Sequence, residues 1–93
     1  MTNTLMKGAN VLVTGASSGL GEHFARVLAK AGANVAVAAR RREKLEALAS
    51  ELRDLGVGSI AVGMDVTDRA SVVDALDEIT SEMGTPRVLI NNA

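Results

Sequence analysis

The chain has no cysteine, no tryptophan and no tyrosine, and Phe24 is its one aromatic residue. Without cysteine there is no disulfide framework and no thiol nucleophile, which fits a reducing, cytoplasmic setting. Without aromatics the core must be assembled from Val, Leu, Ile, Ala and Met, a palette suited to strands buried on both faces beneath helices. No charge of one sign dominates. Ten Lys and Arg against eleven Asp and Glu leave a net charge of −1, which argues against a general binder of nucleic acid or of membrane surfaces. No apolar run approaches the roughly 18–20 residues of a membrane span, and the opening "MTNTLMKGAN" carries no apolar signal-peptide stretch. What remains is 93 residues, 47% apolar and 23% charged, enough for one small domain and not for two.

Four near-continuous apolar runs, Asn10–Thr14, Asn34–Ala39, Ser59–Met64 and Arg87–Asn91, predict buried strands, because they show little of the alternation of a half-exposed sheet. Three helical patterns lie between them. The first, about Leu20–Ala31, puts Leu20, Phe24, Val27, Leu28 and Ala31 on one face. The second, about Arg42–Leu55, carries Leu45, Leu48, Leu52 and Leu55; the third, about Asp68–Met83, carries Val72, Leu76, Ile79 and Met83. Each stops at a glycine, and Thr67 or Asp68 is the expected N-cap of the third. Strand and helix alternate with short connections, so the crossovers should be right-handed and the sheet parallel. The expected fold is α/β: a partial, Rossmann-like doubly wound domain over residues 1–93, with a four-stranded parallel sheet and three helices. That is about half of the full fold.

Ligands of such sheets gather at the carboxyl ends of the strands, so "TGASSGLG", "ARRRE", "DVTD" and "NNA" are the loops to read. The first leaves a strand and enters a helix. It is not G-x-G-x-x-G, since Phe24 stands where the third glycine would, and no Gly-Lys-Ser/Thr makes it a P-loop. Gly15 can turn the chain sharply out of the strand. Gly19 withholds a side chain where a pyrophosphate would approach, and Gly21 lets the helix pack tightly on the sheet. Backbone N–H groups where Gly19-Leu20-Gly21 opens the helix, with its positive end, then face an anion. Ser17 and Ser18 can add hydroxyl donors. A glycine-rich turn chosen only for its backbone shape is the plainer alternative.

The second loop bears on the choice of cofactor. An NAD site wants an acid about 20 residues after the glycine loop, to bond the ribose 2′-hydroxyl; here that position is Ala39, and Arg40 follows. No carboxylate repels a 2′-phosphate, and a guanidinium can clamp one. Arg40, Arg41 and Arg42 also crowd the expected start of the second helix, where cations are disfavoured by about 0.3–1 kcal/mol each. Glu43 offsets part of this, and an incoming phosphate would relieve the rest. The expected cofactor is NADP rather than NAD, with Arg40 as its first contact and Arg41 behind it; a solvated basic cluster is the alternative.

Thr14-Gly15-x-x-x-Gly19-x-Gly21 resembles the cofactor fingerprint of the classical short-chain dehydrogenase/reductase family. "DVT" at Asp65–Thr67 and "NNA" at Asn91–Ala93 match two further motifs of that family, in order and at suitable spacing. The resemblance covers essentially the whole chain. It implies that Asp65 accepts from the adenine amino group while the Val66 backbone reads the ring edge. It also implies that the Asn91 backbone and Ala93 lie along the adenosine ribose, with Asn92 helping to fix the strand end. Taken alone, Asp65 and Thr67 are helix-cap residues, and the two asparagines tie down a turn. His23 is the single histidine and reads as a solvent-facing helix residue. No second His or Cys stands at metal-ligand spacing, so no metal site is expected.

Hydride transfer to a carbonyl needs a proton donor held beside the substrate oxygen. In the family, the resemblance assigns that role to a Tyr-x-x-x-Lys pair, helped by a Ser and a further Asn, all beyond the last motif. This chain has no tyrosine. It is expected to be the NADP-binding portion of a short-chain oxidoreductase, with no catalytic residue of its own. Arg87 stands where the family usually has Asp, a departure that touches a small loop contact. A standalone, non-catalytic dinucleotide-binding module is the other reading; a flavodoxin-like or receiver-like regulator has no need of "TGASSGLG". With no fifth strand beside it, "VLINNA" would be an open apolar edge, so self-association through the last strand is expected.

Overall fold

The β-branched runs form strands and the spaced leucines and alanines form helices, in strict alternation. In this computed structural model, which describes residues 6–92, the order is β1 (Asn10–Thr14), α1 (Gly19–Lys30), β2 (Asn34–Ala39), a 3-10 turn (Arg42–Lys44), α2 (Glu46–Asp54), β3 (Ser59–Gly63), α3 (Arg69–Met83) and β4 (Val88–Asn91). All pairings are parallel and the strand order is β3-β2-β1-β4. The expected α/β, Rossmann-like sheet with three helices is therefore the observed one. Val13 of β1 lies between Val37 of β2 and Ile90 of β4. The order reverses at β1, and such a reversal opens a crevice above the carboxyl ends of the strands.

Alternate residues of the strands feed two cores. On one face Val11, Val13, Val35 and Val37 meet Ala25 and Ala29 of α1 and Leu48 and Leu52 of α2. On the other, Leu12, Ala36, Ala38 and Val62 meet Ala75 and Ile79 of α3. Burial of each Val, Leu or Ile contributes about 1.5–3 kcal/mol. Asp68 caps α3 by accepting from the N–H groups of Ala70 and Ser71. Glycines with positive φ, Gly32, Gly56 and Gly84, follow the three helices as expected.

The structure corrects the reading of three elements. α1 meets the sheet through Gly21, Ala25 and Ala29; of the expected face, Leu28 packs against the core and Ala31 is buried, while Leu20, Phe24 and Val27 are 57%, 36% and 50% exposed. A sheet surface crowded with valines admits a helix most closely on its small-residue side, so the larger apolar stripe turns outward. The second helix does not begin at Arg42: a 3-10 turn comes first, Leu45 is fully buried behind it, and α2 runs from Glu46 to Asp54 with Leu55 exposed. β4 is not a buried strand, for Val88, Leu89 and Asn91 are exposed. Its place at the sheet margin, hydrogen-bonded to β1 alone among the described strands, leaves it uncovered.

The amino ends of the strands are fastened by an amide chain. Gly58 N–H donates to Asn34 Oδ1 at 2.8 Å, Asn34 Nδ2 to Asn10 Oδ1 at 3.1 Å, and Asn10 Nδ2 to the Met83 carbonyl at 3.1 Å. β1, β2, the entry to β3 and the end of α3 are thereby tied at the bottom of the sheet. No helix among the described residues is long and apolar enough to cross a membrane.

Candidate functional site

At Gly15 the chain leaves β1 with φ +61°, where an L side chain would be strained. The loop then folds back on itself. The Ser18 N–H and hydroxyl both donate to the Gly15 carbonyl, at 3.2 and 3.0 Å. Ser18 is also the N-cap of α1: its Oγ accepts from Gly21 N–H at 3.1 Å, and its carbonyl accepts from Glu22 N–H at 2.9 Å. Gly21 is buried, and a Cβ there would collide with the Gly15 carbonyl oxygen and lie 2.8 Å from the Ala16 Cα. Gly19 is different. It is exposed, its φ lies outside the left-handed region, and a Cβ there would meet nothing within 4 Å. Neither packing nor backbone shape calls for glycine at position 19.

The end of β4 holds this loop. Asn92 Nδ2 donates to the Gly15 carbonyl at 3.2 Å and to Ser18 Oγ at 2.8 Å. Buried Thr14 accepts from Asn92 N–H at 3.2 Å and donates to Asn91 Oδ1 at 3.0 Å. Ser18 is thus committed to the turn. The N–H groups of Gly19 and Leu20, in the first turn of α1, have no acceptor among the described residues, and such donors with the helix dipole favour an anion.

An open cleft of about 420 Å³ lies at the carboxyl ends of β1, β2 and β3. Gly15 and Ser17 line it from the glycine loop, Arg40, Arg41 and Lys44 from the segment after β2, and Val66 from the segment after β3. Its lining holds three cations and no carboxylate. Asp65 stands beside it, where Oδ1 accepts from the Thr67 amide at 3.0 Å and the Thr67 hydroxyl at 2.7 Å, with Arg40 Nε at 3.7 Å. The Thr67 hydroxyl, then its amide, and more weakly the Arg40 charge hold the Asp65 carboxyl below the usual range, against a desolvation that works the other way. Asp65 is consequently an acceptor at neutral pH.

The three arginines do not share one environment. Arg42 leaves the cleft, its Nη2 at 2.6 Å from Glu78 and its Nε at 3.4 Å from Glu46. Since α2 begins at Glu46, the expected crowding of three cations at an α-helix start does not occur. Arg40 and Arg41 precede a short turn, and Arg42 is neutralised across to α3.

Of the residues singled out in the sequence, Gly15, Ser17, Arg40 and Val66 are brought together around the cleft. Ser18, Gly19, Leu20 and Gly21 form the adjoining turn into α1, and Asp65 touches Arg40. Asn91 lies apart from the cleft, on a neighbouring recess of about 260 Å³ that shares Thr14, Met64 and Val66 with it. Ala93 lies outside the described residues. Sequence reasoning missed Lys44 as a cleft residue and the bridge from Asn92 to the glycine loop. The first needed the 3-10 turn, and the second needed the β1–β4 pairing. Among the described residues, no three His, Cys, Asp or Glu side chains gather to hold a metal ion. The donors around Gly19 and the acid-free cationic cleft fit a phosphate-bearing dinucleotide.

Comparison with known proteins agrees with this geometry. A profile of the family described as short chain dehydrogenase matches residues 9–93. A short chain dehydrogenase/reductase of Macrophomina phaseolina is 40% identical over 91 residues, covering 97% of this chain and 52% of that protein. A 3-oxoacyl-(acyl-carrier-protein) reductase of Staphylococcus aureus is 44% identical over 85 residues, covering 90% of this chain and 35% of that protein. Among solved structures, a short-chain type dehydrogenase/reductase from Mycobacterium marinum superposes with a TM-score of 0.84 at 38% identity, covering 90% of this chain and 33% of that one. A citronellol catabolism dehydrogenase of Pseudomonas aeruginosa gives a TM-score of 0.85 at 32% identity, covering 96% and 37%. The chain spans about half the length of these relatives, or less.

Proposed function

The chain belongs to the short-chain dehydrogenase family, and from that premise we propose that it is the NADP-binding portion of an oxidoreductase. Residues 1–93 would form the first half of the dinucleotide-binding domain, and the whole protein would transfer hydride between NADP(H) and an alcohol or carbonyl. The family binds nicotinamide dinucleotides. The observation that carries the choice of NADP is the cleft beyond β2, which presents Arg40, Arg41 and Lys44 and no carboxylate. A 2′-phosphate would be stabilised there by charge-assisted hydrogen bonds, while a bare ribose 2′-hydroxyl would find no acid at the end of β2, where Ala39 stands, to accept from it.

The division of labour follows from the residues. Gly19 leaves room for the pyrophosphate, and the first-turn N–H groups of α1 would bond it. Ser17 adds a hydroxyl at the cleft, Arg40 would engage the 2′-phosphate, and Asp65 with Val66 would border the adenine. Asn91 and Ala93 would follow the adenosine ribose. When bound, the nicotinamide supplies or accepts the hydride. The chain contains no tyrosine, so the proton donor that the family resemblance implies is not among these residues. The relatives carry enzyme names, and a standalone, non-catalytic module gains no support from them.

Calorimetric titration of the chain with NADPH and NADH tests the reading. NADPH is expected to bind at least about tenfold more tightly, a difference of about 1.4 kcal/mol. Equal or stronger binding of NADH would overturn it.

A further inference from the structure

Ser71 belongs to no motif, and it reaches back out of α3 to the loop beside the cleft. Its Oγ accepts from the Asp65 N–H at 2.9 Å, six residues earlier in the chain. Helix side chains lean toward the amino end, so a hydroxyl in the first turn of α3 can meet the chain as it leaves β3. Other polar groups of Asp65 are pinned as well. Its carbonyl accepts from the Asp68 N–H at 3.0 Å, and its Oδ1 accepts from the Thr67 amide and hydroxyl. Thr67 lies in the same loop and moves with it, and Asp68 only begins the helix. Ser71 lies within α3, next to Val72, which packs against the core on that face. Its bond therefore fastens the loop to the body of the domain. Asp65 Oδ2 and the N–H and carbonyl of Val66 are left without a hydrogen bond among the described residues, and Val66 lines the cleft.

We infer that Ser71 is a positioning residue for the base of the dinucleotide, holding the Asp65–Val66 backbone so that a carboxylate oxygen and a peptide group face a purine edge. The inference rests on the reading of Asp65 and Val66 as the border of the adenine. Ser71 does not line the cleft, so it acts through Asp65. An amino group on the purine edge donates to a carboxylate, whereas a carbonyl in the same place, as in hypoxanthine, sets oxygen against oxygen. Such discrimination requires an acceptor fixed before the base arrives. A loop released from α3 can swing away from the wrong group and loses part of its bond to the right one.

The test measures dissociation constants of NADPH and of its hypoxanthine analogue, in which a carbonyl replaces the adenine amino group. The chains compared are the parent, Ser71→Ala, Ser71→Thr and Ser81→Ala. The parent is expected to prefer NADPH. Ser71→Ala should weaken NADPH about two- to tenfold, the span of one net hydrogen bond, and leave the analogue unchanged, so that the preference narrows. Ser71→Thr keeps the hydroxyl and should keep the preference. So should Ser81→Ala, which removes an exposed hydroxyl near the far end of α3. In the parent chain without cofactor, the Asp65 amide should exchange its hydrogen more slowly than the Val66 amide, a measurement that needs no variant to fold. Three results would sink the role of Ser71 while sparing the reading of the cleft: an unchanged preference in Ser71→Ala, equal weakening of both ligands, or an Asp65 amide that exchanges as fast as that of Val66. A parent chain that binds the two bases equally overturns the adenine border, and the role of Ser71 with it.

Discussion

Gly19 and Gly21 stand two residues apart and are glycine for opposite reasons. At Gly21 an added methyl group has nowhere to go, because the Gly15 carbonyl and the Ala16 Cα already occupy its place. Gly21→Ala should therefore destabilise the chain by about 1–3 kcal/mol, read as a lower denaturant midpoint. At Gly19 the same methyl group meets open space, and alanine is the better helix former by up to about 1 kcal/mol. Gly19→Ala is expected to leave the midpoint unchanged or raised and to weaken dinucleotide binding, and a variant that binds as well as the parent would remove the anion role of this turn. At Asp65, the depressed pKa means that its contribution is complete at neutral pH and is lost as the pH falls through the folded-state value. Its exposure keeps that contribution small. Because the Thr67 hydroxyl is the first cause, Thr67→Val should raise the Asp65 pKa toward the ordinary carboxylate value in an NMR titration. A pKa that stayed put would assign the effect to Arg40 or the Thr67 amide instead.

Between elements, polar side chains fix what apolar packing leaves loose. Asn34 links three strands at the bottom of the sheet, where its Oδ1 serves Gly58 and its Nδ2 serves Asn10. Asn34→Ala removes the partner of Asn10 and of the Gly58 amide, both within reach of water, and should cost about 0.5–1.5 kcal/mol, with the denaturant slope unchanged. At the opposite end Asn92 joins β4 to the start of α1 through Gly15 and Ser18. The two helices on one face, α1 and α2, are bridged by Arg26, whose Nε lies 2.6 Å from Glu51 and whose Nη2 lies 3.3 Å from Glu22. Arg26 holds the Glu51 carboxyl below its usual pKa. All three side chains are well exposed, so the bridge orients the helices more than it stabilises them.

For the molecule as a whole, the apolar surface is unevenly covered. β1 and β2 are enclosed, while β4 presents Val88 on one face and Leu89, 58% exposed, on the other. On the α1 side, Leu20, Phe24 and Val27 are exposed as well. An apolar outer strand is a template for further pairing. Sedimentation of the chain is expected to show association that grows with concentration, and Leu89→Lys should shift it toward the monomer, since a charge on an edge strand opposes such pairing. A parent chain that stays monomeric over the same range would contradict this.

The sequence by itself determined the order of elements, the parallel sheet and the glycine-rich entry to α1, because periodicity, helix stops and φ-permissive residues act within a few positions of one another. Three motifs in order were also enough to point to the family. The sequence could not decide which stripe of α1 meets the sheet, since Leu20, Phe24 and Val27 are more hydrophobic than Gly21, Ala25 and Ala29, which are buried in their stead. Nor could it tell which cations share a cleft. Arg42 is neutralised by Glu78, 36 residues away in the chain, and Lys44 reaches the cleft only because a 3-10 turn precedes α2. Asn92 meets the glycine loop, 77 residues before it, through strand pairing alone. Local chemistry wrote the elements; the distances between residues remote in the chain, which set burial and charge pairing, came only with the packed sheet.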